Sequence, residues 1–221
     1  MGGGAGVKRK KNLGRKGRAL RSLGWLLVIA ALASALKLYC FLPIQAIHNI
    51  ADMQDVENPQ VVHRFYDGTL PVTRTALHYL VDGDRSMMLC VTGYNVFMGW
   101  YDRSFVPVET WDDSEMHAGL YIHRQDERRV VYIFGKIEDE SIVRLTMEGF
   151  SAPEFEERVA YSAEIPPEDI FEKDGERYFI SKLDGELLEL PQFLYDVSLT
   201  GFDLDGNAVS TVEVLAHSWS T

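Results

Sequence analysis

Five side chains in the stretch ETWDDSEMHAGLYIH are of the types that bind metals or move protons: Asp112, Asp113, Glu115, His117 and His123. Two imidazoles and a carboxylate suffice to hold zinc or a similar divalent ion, and a metal-activated water there would make a hydrolase. The spacing gives this little support. There is no His-Glu-x-x-His pair and no paired cysteines. His117 and His123, six residues apart on a strand, stand about 20 Å from each other, so they share an ion only if the chain bends. A solvated acidic loop entering a strand explains the same residues without a metal. Its one face would carry His117, Tyr121 and His123, the other Ala118, Leu120 and Ile122.

Other chemistry finds less footing. No Gly-x-Ser-x-Gly elbow is present. Cys90 lies among Met87, Met88, Leu89 and Val91, as a small buried hydrophobe does. Acidic neighbours such as Glu138, Asp139 and Glu140 are too common in this chain to mark an acid–base pair. The stretch DLDGN, Asp203–Asn207, has its glycine fourth where a calcium loop needs it sixth, and so reads as a hairpin turn. The best candidate surface is aromatic: Tyr94, Phe97, Trp100, Tyr101 and Phe105 fall in one segment. Any exposed subset of them would suit a peptide, a glycan or a protein partner. No cofactor is expected.

These residues must be held by the elements around them, and charge patterning divides those elements sharply. Every residue before Asp52 is neutral or basic, and nine of the 22 Lys and Arg lie there; the remainder sets all 33 acidic residues against thirteen basic ones. So acidic a body repels nucleic acid. The basic run, residues 1–22, precedes the apolar segment Leu23–Phe41, whose one charge is Lys37. As a helix these nineteen residues span about 28 Å, close to the ~30 Å of a bilayer's hydrocarbon. Lys37 would snorkel, with Trp25 and Tyr39 at the two interfaces. The Lys/Arg excess keeps the N-terminus cytoplasmic and exports everything after Pro43. The competing expectation is a signal peptide cleaved after Ala33-Ser34-Ala35. That would leave the apolar LKLYCFLPI as a free N-terminus, so the anchor, residues 23–43, is preferred.

Residues 44–59 are expected to form a juxtamembrane helix opened by Pro43, with Ile44, Ile47, Ile50 (with Ala51) and Met53 at helical spacing and Asn58-Pro59 as its stop. From residue 60 to 221 the pattern becomes short strands. RVVYIFGKI is apolar on both faces, as a central strand is, and SIVRLTMEG alternates. Asp-Gly pairs beginning at Asp67, Asp82, Asp174, Asp184 and Asp205 punctuate them, a dipeptide suited to tight turns. An all-β antiparallel domain of β-sandwich type follows, in one lobe or two divided near Ser151–Pro153.

GYNVFMGWYDRSFVPVE followed by VVYIFGKIEDESIVRLTMEG resembles small membrane-anchored proteins of Gram-positive bacteria. Those have a basic tail, one signal-anchor helix and an exported β-rich domain. They carry a Gly-Trp in a strand pair, a G-x-I/V-x-D/E-x-x-I step (here Gly135 to Ile142) and a late D-x-D/N-G hairpin (here Asp203 to Gly206). The resemblance implies topology and fold and supplies no catalytic residue. The expected protein is single-pass in the cell membrane, with a non-catalytic acidic β domain outside that binds, assembles or senses at the envelope. Its partners would be the bilayer, through Leu23–Phe41, and an envelope protein or glycan. An exported metal-assisted hydrolase using Asp112 to His123 is the alternative.

Overall fold

A strand that is apolar on both faces is stable only between two packing layers. The structure, a computed structural model, describes residues 15–66, 76–97, 99–110, 112–125, 128–151, 159–183, 194–214 and 216–219. It supplies both layers. The first sheet is a meander of β1 (Gln60–Phe65), β2 (Ala76–Asp82), β3 (Ser86–Asn95) and β4 (Gly99–Glu109). The central sheet contains β5 (Met116–Gln125) and β6 (Arg128–Ile137), with β9 (Ile170–Lys173), β10 (Glu176–Leu183) and β13 (Ala216–Trp219), in the order β13-β5-β6-β10-β9. The third contains β7 (Arg144–Ser151), β8 (Val159–Ile165), β11 (Leu194–Phe202) and β12 (Ala208–Val214), in the order β12-β11-β7-β8. All pairings are antiparallel except β13 with β5, where the chain leaves the third sheet and joins the edge of the central one.

Strand alternation assigns the central side chains to two cores. Leu120, Ile122, Val131, Ile133, Phe179 and Leu183 face the third sheet and meet Leu145, Met147, Val197 and Leu199. Tyr121, Val130, Tyr132, Phe134 and Tyr178 face the first sheet and meet Leu80, Met87, Leu89, Val91 and Val106. The all-β expectation holds as a class. The two-sheet sandwich is replaced by a stack of three sheets, because the central one buries both its faces.

Glycine makes the stack close enough. Gly119 pairs with Phe134 and Gly135 with Phe179, so these two phenylalanine rings each lie over a glycine on the neighbouring strand. A Cβ on Gly119 would meet Phe134 Cζ at 2.6 Å, and one on Gly135 would meet Phe179 Cζ at 2.4 Å. The Asp-Gly turns vary in their reasons. Asp174 and Gly175 both have positive φ, 56° and 89°, as a two-residue hairpin of type I′ demands. At Asp205-Gly206 only the glycine is left-handed, and Asp203 Oδ1 caps the turn by accepting from the Asp205 and Asn207 N–H groups. Gly83 is there for space, since a Cβ would lie 2.5 Å from Glu57 O. The pairs at Asp67 and Asp184 lie outside the described residues.

The N-terminal helix differs from the expected 23–43. α1 runs Arg15–Ala35, taking Arg15, Lys16, Arg18 and Arg21 into its first turns. It stops early because Lys37 adopts φ 55°; the Lys37 N–H donates to Ser34 O and the Leu38 N–H to Ala33 O, the crossed pattern of a Schellman end. Lys37 then points its ammonium at Asp52 Oδ2, 2.6 Å away, instead of snorkelling along the helix axis. α2 (Pro43–Met53) follows with proline at its start. The Gln45 side chain accepts the Phe41 and Leu42 N–H groups, satisfying donors the helix start leaves over. Its buried face is Ala46, Ile47, Ile50 and Ala51, packed on Tyr79, Val81, Met88 and Cys90 of the first sheet, whereas Ile44 and Met53 face outward. A second helix therefore covers the first sheet; α1 does not continue through.

Candidate functional site

Asp112, Asp113 and Glu115 line one shallow acidic cleft with Glu138, Asp139 and Glu140, and Asp112 also reaches back to His117. His117 sits on β5, buried, facing the first sheet, and Asp112 Oδ1 lies 3.5 Å from its Nδ1. Glu115 turns away and accepts from the Ser210 hydroxyl at 3.1 Å. Asp113 is exposed, and the side chain of His123 lies outside the described residues. Among the described residues no three His, Cys, Asp or Glu side chains are placed to hold one metal ion. What the geometry offers is a single imidazole–carboxylate contact at the floor of an open cleft of about 800 Å³, bounded by Arg85, Glu109, Ser114 and Glu213.

The aromatic segment divides as well. Phe105 packs into the core beneath α2. Tyr101, next to Trp100, points to the opposite face of the strand and is half-buried. The remaining three stay together at the tip of the β3–β4 hairpin: Tyr94 and Trp100 are a cross-strand pair with ring centroids 5.5 Å apart, and Phe97 at the turn is 90% exposed. Asn95 Oδ1 accepts the Phe97 N–H at 2.8 Å and shapes that turn.

Three residues read from sequence as part of the membrane helix gather at this tip. Tyr39 donates to Val96 O at 3.3 Å, the Trp100 N–H donates to Cys40 O at 2.8 Å, and Phe41 packs on Tyr39 with centroids 4.6 Å apart. Gly99, at φ 74°, makes the approach feasible: a Cβ there would lie 2.3 Å from Cys40 O. In the sequence this contact is marked by the Gly-Trp dipeptide, whose pattern indicates strand pairing alone.

A second constellation went unnoticed in sequence because its members are far apart. Lys136 Nζ lies 2.9 Å from Glu138, 3.3 Å from Glu176 and 3.9 Å from Asp82, and Asp82 also accepts the Tyr178 hydroxyl at 2.7 Å. This cluster, with Lys173 Nζ donating to Val61 O at 2.7 Å, ties the edges of the first and central sheets together. Its cation is saturated by carboxylates, so it acts as a fastening of the fold. The Gly135–Ile142 step is structural too: Asp139 Oδ1 accepts the Ser141 N–H, Arg177 donates to Ile142 O at 2.8 Å, and Ile142 is fully buried.

Neither cysteine is placed for chemistry. Cys40 is buried and receives a hydrogen bond from Asn49 Nδ2. Cys90 is completely enclosed, and burial pushes its thiol up to about 12. A shift of that size lowers the thiolate population about a thousandfold at neutral pH. Maleimide at pH 7.5 should therefore leave Cys90 unmodified over hours in the native chain and label it within minutes in guanidinium. Rapid native labelling of Cys90 would show that the α2 face opens.

No protein-family model, curated protein or solved structure matches this chain.

Proposed function

We propose that this chain is a single-pass membrane protein of the Gram-positive signal-anchored kind. Its basic N-terminus is cytoplasmic and its acidic three-sheet domain stands outside, serving as a non-catalytic binding or assembly module at the cell envelope. One observation carries the reading. α1 is long and apolar enough to cross a bilayer, and none of its apolar window is covered by the rest of the chain. Leu23, Trp25, Leu26, Leu27, Ile29 and Leu32 would all face water in solution. Each such side chain gains about 1.5–3 kcal/mol on leaving water, so lipid is the natural solvent for the helix. Arg15, Lys16, Arg18 and Arg21 at its start favour retention of that end in the cytoplasm.

A binding role is supported by where the ionisable groups lie. Among the described residues the cluster around Lys136 fastens two sheets, and the cleft beside β5 holds one imidazole–carboxylate contact. The test is alkaline carbonate extraction of the full-length chain together with reporter fusions at each end. We expect the protein in the pellet and an externally oriented C-terminus. A soluble product beginning at Leu36 would replace the anchor with a cleaved signal. Crosslinking and pull-down from intact membranes would then identify the partner, and turnover of a substrate by the purified domain would sink the non-catalytic assignment.

A further inference from the structure

We infer that the tip of the β3–β4 hairpin and the segment following α1 form one apolar collar that seats the exported domain in the lipid interface of the membrane its own helix crosses. The inference rests on the reading of α1 as a membrane span.

Length is the first argument. The uncharged part of α1, Ser22 to Ala35, is fourteen residues, about 21 Å of helix against ~30 Å of hydrocarbon. Snorkelling of Arg18 and Arg21 covers some of the difference on one side. On the other side the chain continues with Leu36, Leu38, Phe41 and Leu42, all exposed, although the helix has ended. Side chains of that kind just beyond a short span belong 5–10 Å deep in the headgroup–acyl boundary.

The hairpin tip is fixed to this same place. Tyr39 to Val96, Trp100 to Cys40 and the Cys40–Gly99 bridge pin the turn to the helix exit, so Val96 (72% exposed) and Phe97 (90%) lie beside the collar of α1. Tyr94, Trp100 and Tyr39 have the amphipathic rings that favour membrane interfaces.

Charge is the second, independent argument. In a chain with 33 acidic residues, Leu36–Ala51 and Ser86–Tyr101 contain none, and these are the two segments that meet at the collar. The two runs stop at Asp52, paired with Lys37, and at Asp102, whose charge reaches Cys40. The collar's apolar residues are therefore free of acid and its carboxylates lie at the rim. This arrangement lets the face rest on a bilayer whose anionic headgroups would repel the rest of the domain. Lys37 is held to Asp52 on the α2 side. The aromatic patch read from sequence as a partner site thus becomes, in its exposed half, a seat on lipid.

The test places one label at the tip and one far away. Phe97→Cys and Leu204→Cys, the latter in the exposed β11–β12 turn, are made in the full chain, where Cys40 and Cys90 are buried. Each is labelled with an environment-sensitive dye and reconstituted in nanodiscs of phosphatidylcholine and phosphatidylglycerol. We expect iodide quenching at 97 to be at least fivefold weaker than at 204, with quenching by shallow spin-labelled lipid at 97 alone. Equal iodide quenching at both sites in a chain that still resists carbonate would overturn the collar and leave the anchor standing. Protection at 97 only in native membranes would also overturn it, by assigning the tip to a protein. Extraction of the chain by carbonate would strike the anchor itself. Val96→Asp with Phe97→Asp should unfold at the parental temperature, since both positions are exposed, and restore iodide access to a dye at Tyr94→Cys.

Discussion

Gly135→Val is expected to abolish stable folding of the strand-rich domain. The Cβ would lie 2.0 Å from His117 O and 2.4 Å from Phe179 Cζ. The first of these is backbone of the paired strand β5 and cannot move without opening the central sheet. The second is a fully buried ring packed in the core against the third sheet. Overpacking typically costs 1–3 kcal/mol where side chains can adjust. Here a main-chain contact blocks adjustment, so about 4 kcal/mol or more is expected, a large share of the 5–15 kcal/mol that keeps a domain folded. Circular dichroism of the detergent-solubilised chain should show the cooperative transition lost or lowered by more than 15 °C. Gly175→Asn is the control: its φ is 89° but nothing lies within 4 Å of a Cβ, and asparagine tolerates that conformation. It should shift the midpoint by only a few degrees. If Gly135→Val melts with the parent, the Phe179–Gly135 register is wrong.

Lys136→Met comes next in size. Its side chain is 15% exposed, and its ammonium serves three carboxylates from three different strands or loops. Removing the partner of a buried charge costs 3–5 kcal/mol. Glu138 and Glu176 reach water and are screened, so about 2 kcal/mol is expected. Alkali tests the same cluster. Burial works against the Lys136 charge, but the Glu138, Asp82 and Glu176 carboxylates outweigh it and hold the group above the ordinary lysine range. The Tyr178 hydroxyl is also raised, by burial first and then by the adjacent Asp82. Both groups therefore hold their protons longer folded than unfolded. By linkage the stability they supply is complete below the ordinary tyrosine value of 10.0 and is lost as pH climbs through their folded values. The midpoint should be steady from pH 7 to 9.5 and fall beyond it. Tyr178→Phe, which loses a hydrogen bond to a charged acceptor worth about 1.5 kcal/mol, should start lower and fall less steeply. A parental midpoint unchanged to pH 11 would refute this account.

How much of this was legible beforehand depends on the range of the interaction concerned. RVVYIFGKI declared itself central because its two-faced apolar character is local, and it became the middle strand of five. The Asp-Gly turns at Asp174 and Asp205 were legible for the same reason. α2 was found by its proline and its periodicity: Ile47, Ile50 and Ala51 of the expected stripe are buried, together with Ala46, while Ile44 and Met53 at the two ends of the stripe face outward. The end of α1 was misplaced because a hydropathy run cannot register one residue turning left-handed at Lys37.

The amino-acid sequence by itself determined the division into basic tail, apolar helix and acidic strand-rich body, since each rests on the composition of contiguous residues. Tertiary structure decided the rest. Three sheets stack where a sandwich of two was expected, because strand pattern states that a face is buried and leaves open what buries it. Lys136 gathers carboxylates from positions 82, 138 and 176. The hairpin tip meets the helix exit through Tyr39 and Val96, 57 residues apart. Contacts at such separations are set by the packing of whole sheets, and no run of neighbouring residues encodes them.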